Sequence, residues 1–401
     1  MTVGFKLSGV RIGVKKGVWK GCGAMPKRGE NIRKRKDGRW EGRYIVSYNL
    51  EGKASYQSVY GKSYAQVKQK MKEQQGTTAK QEPVTGNTGF DVLCLAWLKE
   101  VRVEVKESTY ADYYDKVHNH IVPPLGKLKA KMIGVDLINQ FIREKVEHGR
   151  LDGKGGLSAK TVHDIVCVLV QIIRYGEGQH KIPAFQEERL ILPKIQEKEL
   201  PFLTEGEQRQ LETFLSGKPN LETLGLSLVL YSGLRIGELC ALTWKDIDTE
   251  EGLLHVNKTL QRIKNVDGNS PLKTKVIIDT PKSRKSVRTI PISDSLLFQL
   301  KREKAKYPPN AFFLTGKVRK FMEPRVYSEK FKRYLEASRV DDINFHALRH
   351  TFATRAEEKE FDIKSLSEVL GHSSVKFTLE RYVHSSQALK KQGIEKLTSS
   401  Y

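Results

Sequence analysis

The stretch His346-Ala347-Leu348-Arg349-His350 sets an imidazole and a guanidinium three residues apart. On a helix that spacing brings both to one face while Leu348 turns toward a core. A cation beside a proton-transfer group suits a phosphate oxyanion; alone, the pentapeptide is more often a solvated basic turn. Gly233-Leu234-Arg235-Ile236-Gly237-Glu238-Leu239 carries an arginine between two glycines after an apolar run. The glycines let the backbone turn at a helix end, and the planar fork of Arg235 can grip two phosphate oxygens at once. A helix-end arginine facing solvent explains the pattern equally well. Glu238, one turn on, either braces Arg235 or is plainly structural. Leu370-Gly371-His372-Ser373 adds another imidazole, and Tyr382 follows ten residues after His372. A tyrosine in such a setting is ordinarily a core or surface residue. Pro281-Lys282-Ser283-Arg284-Lys285 lies between strand-like segments and reads as a hairpin tip, by default exposed lysine. Each signal is weak by itself.

The elements that would position these groups follow from periodicity. Gly42–Tyr48 and Ala54–Tyr60 are rich in β-branched and aromatic residues and flank the turn cluster Asn49–Gly52, which predicts a hairpin. The basic run Arg33–Lys36 before Asp37-Gly38 suits a preceding strand, and Ser63 can cap a helix over 64–74. From Phe90 to Tyr175 the pattern is helical, interrupted at Pro123-Pro124 and at the glycine-rich run 152–156. The last 200 residues mix both periods. Thr204 leads into a helix, 221–231 forms another, and 253–261, 275–280 and 286–292 read as short strands. Helices follow from 293 and near 325–338, 346–358, 362–370 and 375–382. The fold class is therefore multidomain α+β: a small N-terminal sheet with one helix, an all-α domain, and a mainly α domain with a small β-sheet. Boundaries fall at 1–24 (basic extension), 25–75, a linker 76–88, 89–177, a linker 178–200, and 201–401.

At 401 residues the chain is too long for one compact core. Its 70 Lys+Arg against 47 Asp+Glu give a net charge of +23, which calls for a polyanionic partner, nucleic acid or an anionic membrane. The first 72 residues hold eighteen of those bases against four acids. The expected DNA contacts there are Arg39, Arg43, Tyr44 and Lys53, on a sheet face laid in the major groove. No window is apolar enough to span a membrane, and Cys22, Cys94, Cys167 and Cys240 are too scattered for a zinc ribbon or a disulfide scaffold. A cytoplasmic protein is expected. Residues 1–24 are either dispensable, from an upstream start codon, or a basic tail adding phosphate contacts.

Order and company change the weight of the separate signals. Arg235, Lys282, His346-x-x-Arg349, Gly371-His372 and Tyr382, in that order, resemble the tyrosine recombinase (phage-type integrase) family. The phrases Tyr231–Leu239 with Leu242-Thr243-Trp244, His346–Ala353, Leu370–Ser374 with Thr378 and His384, and Arg288–Ile292 carry the likeness. Upstream, Tyr114, His120-Ile121, Pro124-Leu125-Gly126 and Leu128 resemble the family's helical core-site domain, and the basic N-terminus resembles the arm-site domain of conjugative-transposon and temperate-phage integrases. The resemblance implies Tyr382 as nucleophile, with Arg235, Lys282, His346, Arg349 and His372 as the other catalytic groups. It implies a 3′-phosphotyrosine linkage that conserves bond energy, hence no cofactor and no metal. It implies double-stranded DNA with core and arm sites, a homo-tetramer on DNA, and an accessory excision or DNA-bending protein. A non-catalytic DNA-binding regulator would share the charge but not the six positions. A type IB topoisomerase would need neither an arm-site domain nor the tail Ala388–Leu397.

Overall fold

The computed structural model describes residues 31–48, 54–75, 87–196, 201–266, 272–281, 284–372 and 374–382. Residues 1–24, Lys53, Lys282, His384 and the tail Ala388–Leu397 lie outside the described residues. Two compact units emerge: residues up to Lys99 with Lys116–Pro193, and Glu100–Asp115 with residues from Lys194 onward.

In the first unit, β1 (Ile32–Lys34), β2 (Trp40–Tyr48) and β3 (Ala54–Gly61) form an antiparallel sheet in that order, followed by α1 (Tyr64–Gln75). Ser63 Oγ accepts from the Gln66 amide at 3.2 Å, so the expected cap is in place. The register pairs Arg33 with Glu41 and Arg43 with Ser58. Because alternate strand residues point to opposite sides, Gly42 and Tyr44 face α1, where Val67 and Met71 cover Gly42. Arg33, Glu41, Arg43, Ser58 and Tyr60 share the other face.

The helical part of this unit begins at α2 (Phe90–Val101) and continues after α3 (Glu107–Lys116). The break expected at Pro123-Pro124 takes another form. Val117–Ile121 widens into a π turn that runs straight into α4 (Val122–Leu125), which opens with the two prolines. A proline ring and its missing N–H are tolerated in a first turn, and the wider turn before it gives the rings room. Then come α5 (Val135–His148) and α6 (Ala159–Gly178), the latter capped by Ser158, with Leu93, Leu137, Phe141, Ile165 and Leu169 in the core.

The second unit opens with a Thr204–Glu207 capping box on α7 (Glu205–Gly217), followed by α8 (Leu221–Ser232) and α9 (Ile236–Ala241). Next come β4 (Ile247–Asp248), β5 (Leu253–Val256), β6 (Thr259–Lys264), β7 (Thr274–Asp279) and β8 (Arg288–Pro291). They pair as a β4-β5-β8 sheet and a β6-β7 hairpin, all antiparallel. The helices α10 (Asp294–Lys304), α11 (Pro324–Ala337), α12 (His346–Glu358), α13 (Ile363–Leu370) and α14 (Val375–Tyr382) complete it. Trp244 is fully buried, stacked on Tyr307 with centroids 5.5 Å apart and set 4.9 Å from Phe313. The segment Glu100–Asp115 docks on the β6-β7 hairpin through Lys106–Asp279 (3.2 Å), Glu107–Lys275 (2.5 Å) and Asp115–Lys264 (2.6 Å). Among the described residues no helix is long and apolar enough to cross a membrane.

Candidate active site

Helix α8 is an apolar element that must stop sharply. Gly233 ends it with φ +63°, a left-handed conformation that suits glycine. A Cβ there would also lie 2.7 Å from Phe352 and 2.9 Å from Leu370, so the position is closed sterically as well. Two residues later Arg235 becomes the N-cap of α9, between the buried anchors Leu234 and Leu239. Its side chain is 36% exposed, and its Nη1 donates to Glu238 Oε1 at 2.8 Å.

Arg349 sits differently. It lies in the first turn of α12 and is 2% exposed, as buried as its neighbour Leu348. It donates Nη1 to the Gly233 carbonyl (2.8 Å) and Nη2 to the Leu370 carbonyl (2.6 Å). One guanidinium thereby ties the turn before Arg235 to the turn before His372. A cation at the C-terminal carbonyls of α13 is also favoured by the helix dipole. His346, one turn earlier on α12, is exposed and meets His350 edge to face with centroids 4.6 Å apart.

Gly371 ends α13 with φ +63° and passes the chain to His372, which is buried. His372 Nδ1 and Thr378 Oγ1 lie 2.8 Å apart. Thr378 is fully buried on α14, and Tyr382 stands one helical turn beyond it at the end of that helix. The Tyr382 side chain and all of Lys282 lie outside what the structure describes; the loop carrying Lys282 joins β7 to the 3-10 turn Arg284–Ser286 before β8.

Arg349 thus ties the turn before Arg235 to the turn before His372, and His372 is bonded to Thr378 on α14, the helix that ends at Tyr382. Arg288, on β8, joins the same cluster. Arg288 is 5% exposed and pairs with both Glu238 oxygens, Nη1 to Oε1 at 3.0 Å and Nη2 to Oε2 at 2.9 Å. Burial raises the Glu238 carboxyl, but the hydrogen bonds and charge of Arg288, with the charge of Arg235, outweigh it and hold the group below the usual carboxylate range. The signal was present in the sequence: Arg288 falls on the same side of an alternating strand as Ile290, which is buried.

On the N-terminal sheet, Tyr44 was expected beside Arg43 on one face. It is 8% exposed on the opposite, helix-facing side, its hydroxyl donating to Gln57 Oε1 at 3.1 Å. Neighbours in a strand cannot share a face. Arg43 instead lies over Tyr56 (5.2 Å to the centroid) and Arg35 over Tyr60 (5.6 Å), both tyrosines exposed. Arg39 is exposed and paired with Asp37 at 2.9 Å. Among the described residues no three His, Cys, Asp or Glu side chains gather as a metal site.

The chain matches the Phage integrase family over residues 201–388 and the phage integrase N-terminal SAM-like domain over 90–146. It belongs to the tyrosine recombinase family of DNA strand-breaking and rejoining enzymes. A tyrosine recombinase XerC-like protein of Caldanaerobacter subterraneus is 26% identical over 89% of this chain and 95% of its own length. The ICEBs1 integrase of Bacillus subtilis is 24% identical over 78% of this chain and 83% of its own. In fold, the chain is similar to a fragment of the Tn1549 transposon integrase solved with transposon right end DNA, with a TM-score of 0.61 and 24% identity. That likeness covers 78% of this chain and all of the fragment. A lambda integrase dimer bound to a core site gives a TM-score of 0.53 at 17% identity over 90% of this chain and 97% of that one.

Proposed function

We propose that this chain is a site-specific recombinase that integrates and excises a mobile element, cutting DNA through a 3′-phosphotyrosine intermediate and exchanging strands. The observation that carries the reading is the Arg349 guanidinium bridging the Gly233 and Leu370 carbonyls. It sets the loops of Arg235 and His372 side by side.

A phosphodiester resists attack because its charge repels nucleophiles, and in-line attack adds charge to the non-bridging oxygens. Preorganised cations are therefore the main requirement, and Arg235 and Arg349 supply them. His372, held through Nδ1 by Thr378, offers Nε2 as a hydrogen-bond partner to the same oxygens. Tyr382 is the nucleophile. A tyrosine phenol ordinarily holds its proton at neutral pH, so attack needs a base, for which the exposed His346 is the candidate. The Tyr382 oxygen bonds to phosphorus, the bond to the 5′ oxygen breaks, and Lys282 gives that oxygen a proton. A 5′-hydroxyl from the partner strand then attacks phosphorus and releases the tyrosine, so no bond energy is lost. The helical domain and residues 201–401 grip core-site DNA, a homo-tetramer joins two sites, and an accessory bending or excision protein selects direction.

The face of Arg43, Tyr56 and Tyr60 is the arm-site surface. The cations stacked on aromatic rings there are held in place before DNA arrives. The test is product analysis on plasmids carrying two sites. Recombinant joints are expected; relaxation of supercoils without joints would favour the topoisomerase reading.

A further inference from the structure

Glu238 receives two guanidiniums. Arg235 reaches it from the same helix, and Arg288 reaches it from β8, the strand that follows the Lys282 loop. Arg288 does more than neutralise the carboxylate. Its Nε donates to the Val369 carbonyl at 2.5 Å, at the end of α13. Its side chain also lies against Gly371: a Cβ on that glycine would sit 3.0 Å from Arg288 Cδ. One buried side chain therefore touches the carboxylate that holds Arg235 and the turn that delivers His372.

We infer that Arg288 is a positioning residue for strand cleavage. It holds Glu238 against Arg235 and fixes the end of α13 beside His372, so that both groups meet the phosphodiester already in place. The inference rests on the catalytic assignment of Arg235 and His372 above. Arg288 touches no substrate in this account; it acts through Glu238 and the α13 turn.

The physical case is one of geometry. A guanidinium offers divergent donors in one plane, which lets a single side chain serve two carboxylate oxygens and the Val369 and Ser286 carbonyls. A lysine ammonium keeps the charge but cannot span all four acceptors. The charged groups bonded to Glu238 are Arg235, on its own helix, and Arg288, on β8; Asp246, paired with Lys258, and His255 line the small cavity beside it. Without Arg288, burial acts on Glu238 with one cation opposing it, and the carboxyl moves toward its neutral form. A neutral Glu238 holds the Arg235 guanidinium by a weaker bond, and the cation it presents to phosphate loses its fixed place.

The test is single-turnover cleavage by the full chain on a nicked duplex carrying the footprinted core site, from acid to alkaline pH. Arg288→Met, Arg288→Lys and Arg288→Met with Glu238→Gln are compared with wild type. For Arg288→Met we expect cleavage slower by roughly 10- to 100-fold, with core-site affinity changed less than about threefold. The acid limb of its rate profile should move to higher pH. Arg288→Lys should recover part of the rate, and the double variant, which has no Glu238 carboxyl to titrate, should lack the displaced limb. If Arg288→Met does not fold, Arg288→Lys carries the test, with a smaller rate loss and the same direction of displacement. An unchanged rate and profile would overturn the inference. So would a rate loss matched by an equal loss of DNA affinity with the acid limb unmoved, because that is what a merely structural arginine would give. No cleavage by wild type would instead count against the catalytic assignment.

Discussion

Arg235 and Arg349 carry the same charge in different surroundings, and their substitutions should therefore differ. Arg235 is partly exposed and bonded to Glu238, so Arg235→Lys keeps a cation near the phosphate but loses the fork. We expect slow cleavage with an unchanged melting temperature. Arg349→Ala leaves the Gly233 and Leu370 carbonyls without their donor, at a cost of about 1–3 kcal/mol for each buried group. Cleavage should vanish and the melting temperature should fall, as read by single-turnover assay and thermal unfolding. Glu238 gives a pH signature. Its carboxyl lies below the usual range when folded, so its contribution to stability is complete above the unfolded value and is lost as pH falls through the folded one. Denaturant titrations between about pH 3 and 7 should show wild type losing stability on the acid side more steeply than Glu238→Gln. The order of the motifs made the six candidate positions and the family legible in the sequence. The sequence did not show that Arg349 is buried or that Arg288 shares Glu238, because both facts depend on contacts between segments far apart in the chain.

At the level of elements, the helix ends do the positioning. Gly233 and Gly371 stop α8 and α13 in left-handed turns, the first two residues before Arg235 and the second immediately before His372. Gly233→Ala should cost about 1–2 kcal/mol in backbone strain, with more from the clash against Phe352 and Leu370. Both unfolding and cleavage should report it. Thr204→Ala removes the capping box of α7, in which Thr204 and Glu207 bond to each other and not to Arg235, Arg349 or His372. It should lower stability by about 1 kcal/mol while cleavage at low temperature stays unchanged. Caps and turns of this kind were legible because they depend on residues a few positions apart: Ser63 and Thr204 behave as their spacing implies. Pro123-Pro124 did not behave so, since a π turn placed them in a first turn where prolines fit. Tyr44, one residue from Arg43 in the same strand, lies on the opposite, helix-facing side, because strand neighbours alternate faces.

For the whole molecule, the proposed function assigns arm binding and core cleavage to different segments of the chain. Deleting residues 25–75 should leave cleavage of a core-site duplex intact and impair integration between full sites. Arm-site binding by the intact chain should weaken steeply with salt, as release of condensed counterions requires. Equal arm-site affinity with and without that segment would remove the assignment. The charge excess made a polyanionic partner legible from composition, and the ordered motifs made the family legible. Which residues share the exposed sheet face became visible only with the register, which aligns Arg43 with Ser58 and leaves Tyr56 and Tyr60 exposed. The central claim is that Tyr382 attacks phosphorus, and the most direct measurement is capture of the covalent adduct. Wild type and Tyr382→Phe are each incubated with a nicked suicide duplex in the presence of a chelator and resolved under denaturing conditions. Wild type should give a shifted, protease-sensitive band and Tyr382→Phe none, at equal core-site affinity. An adduct with the phenylalanine variant, or a wild-type adduct that requires a divalent metal, would contradict it.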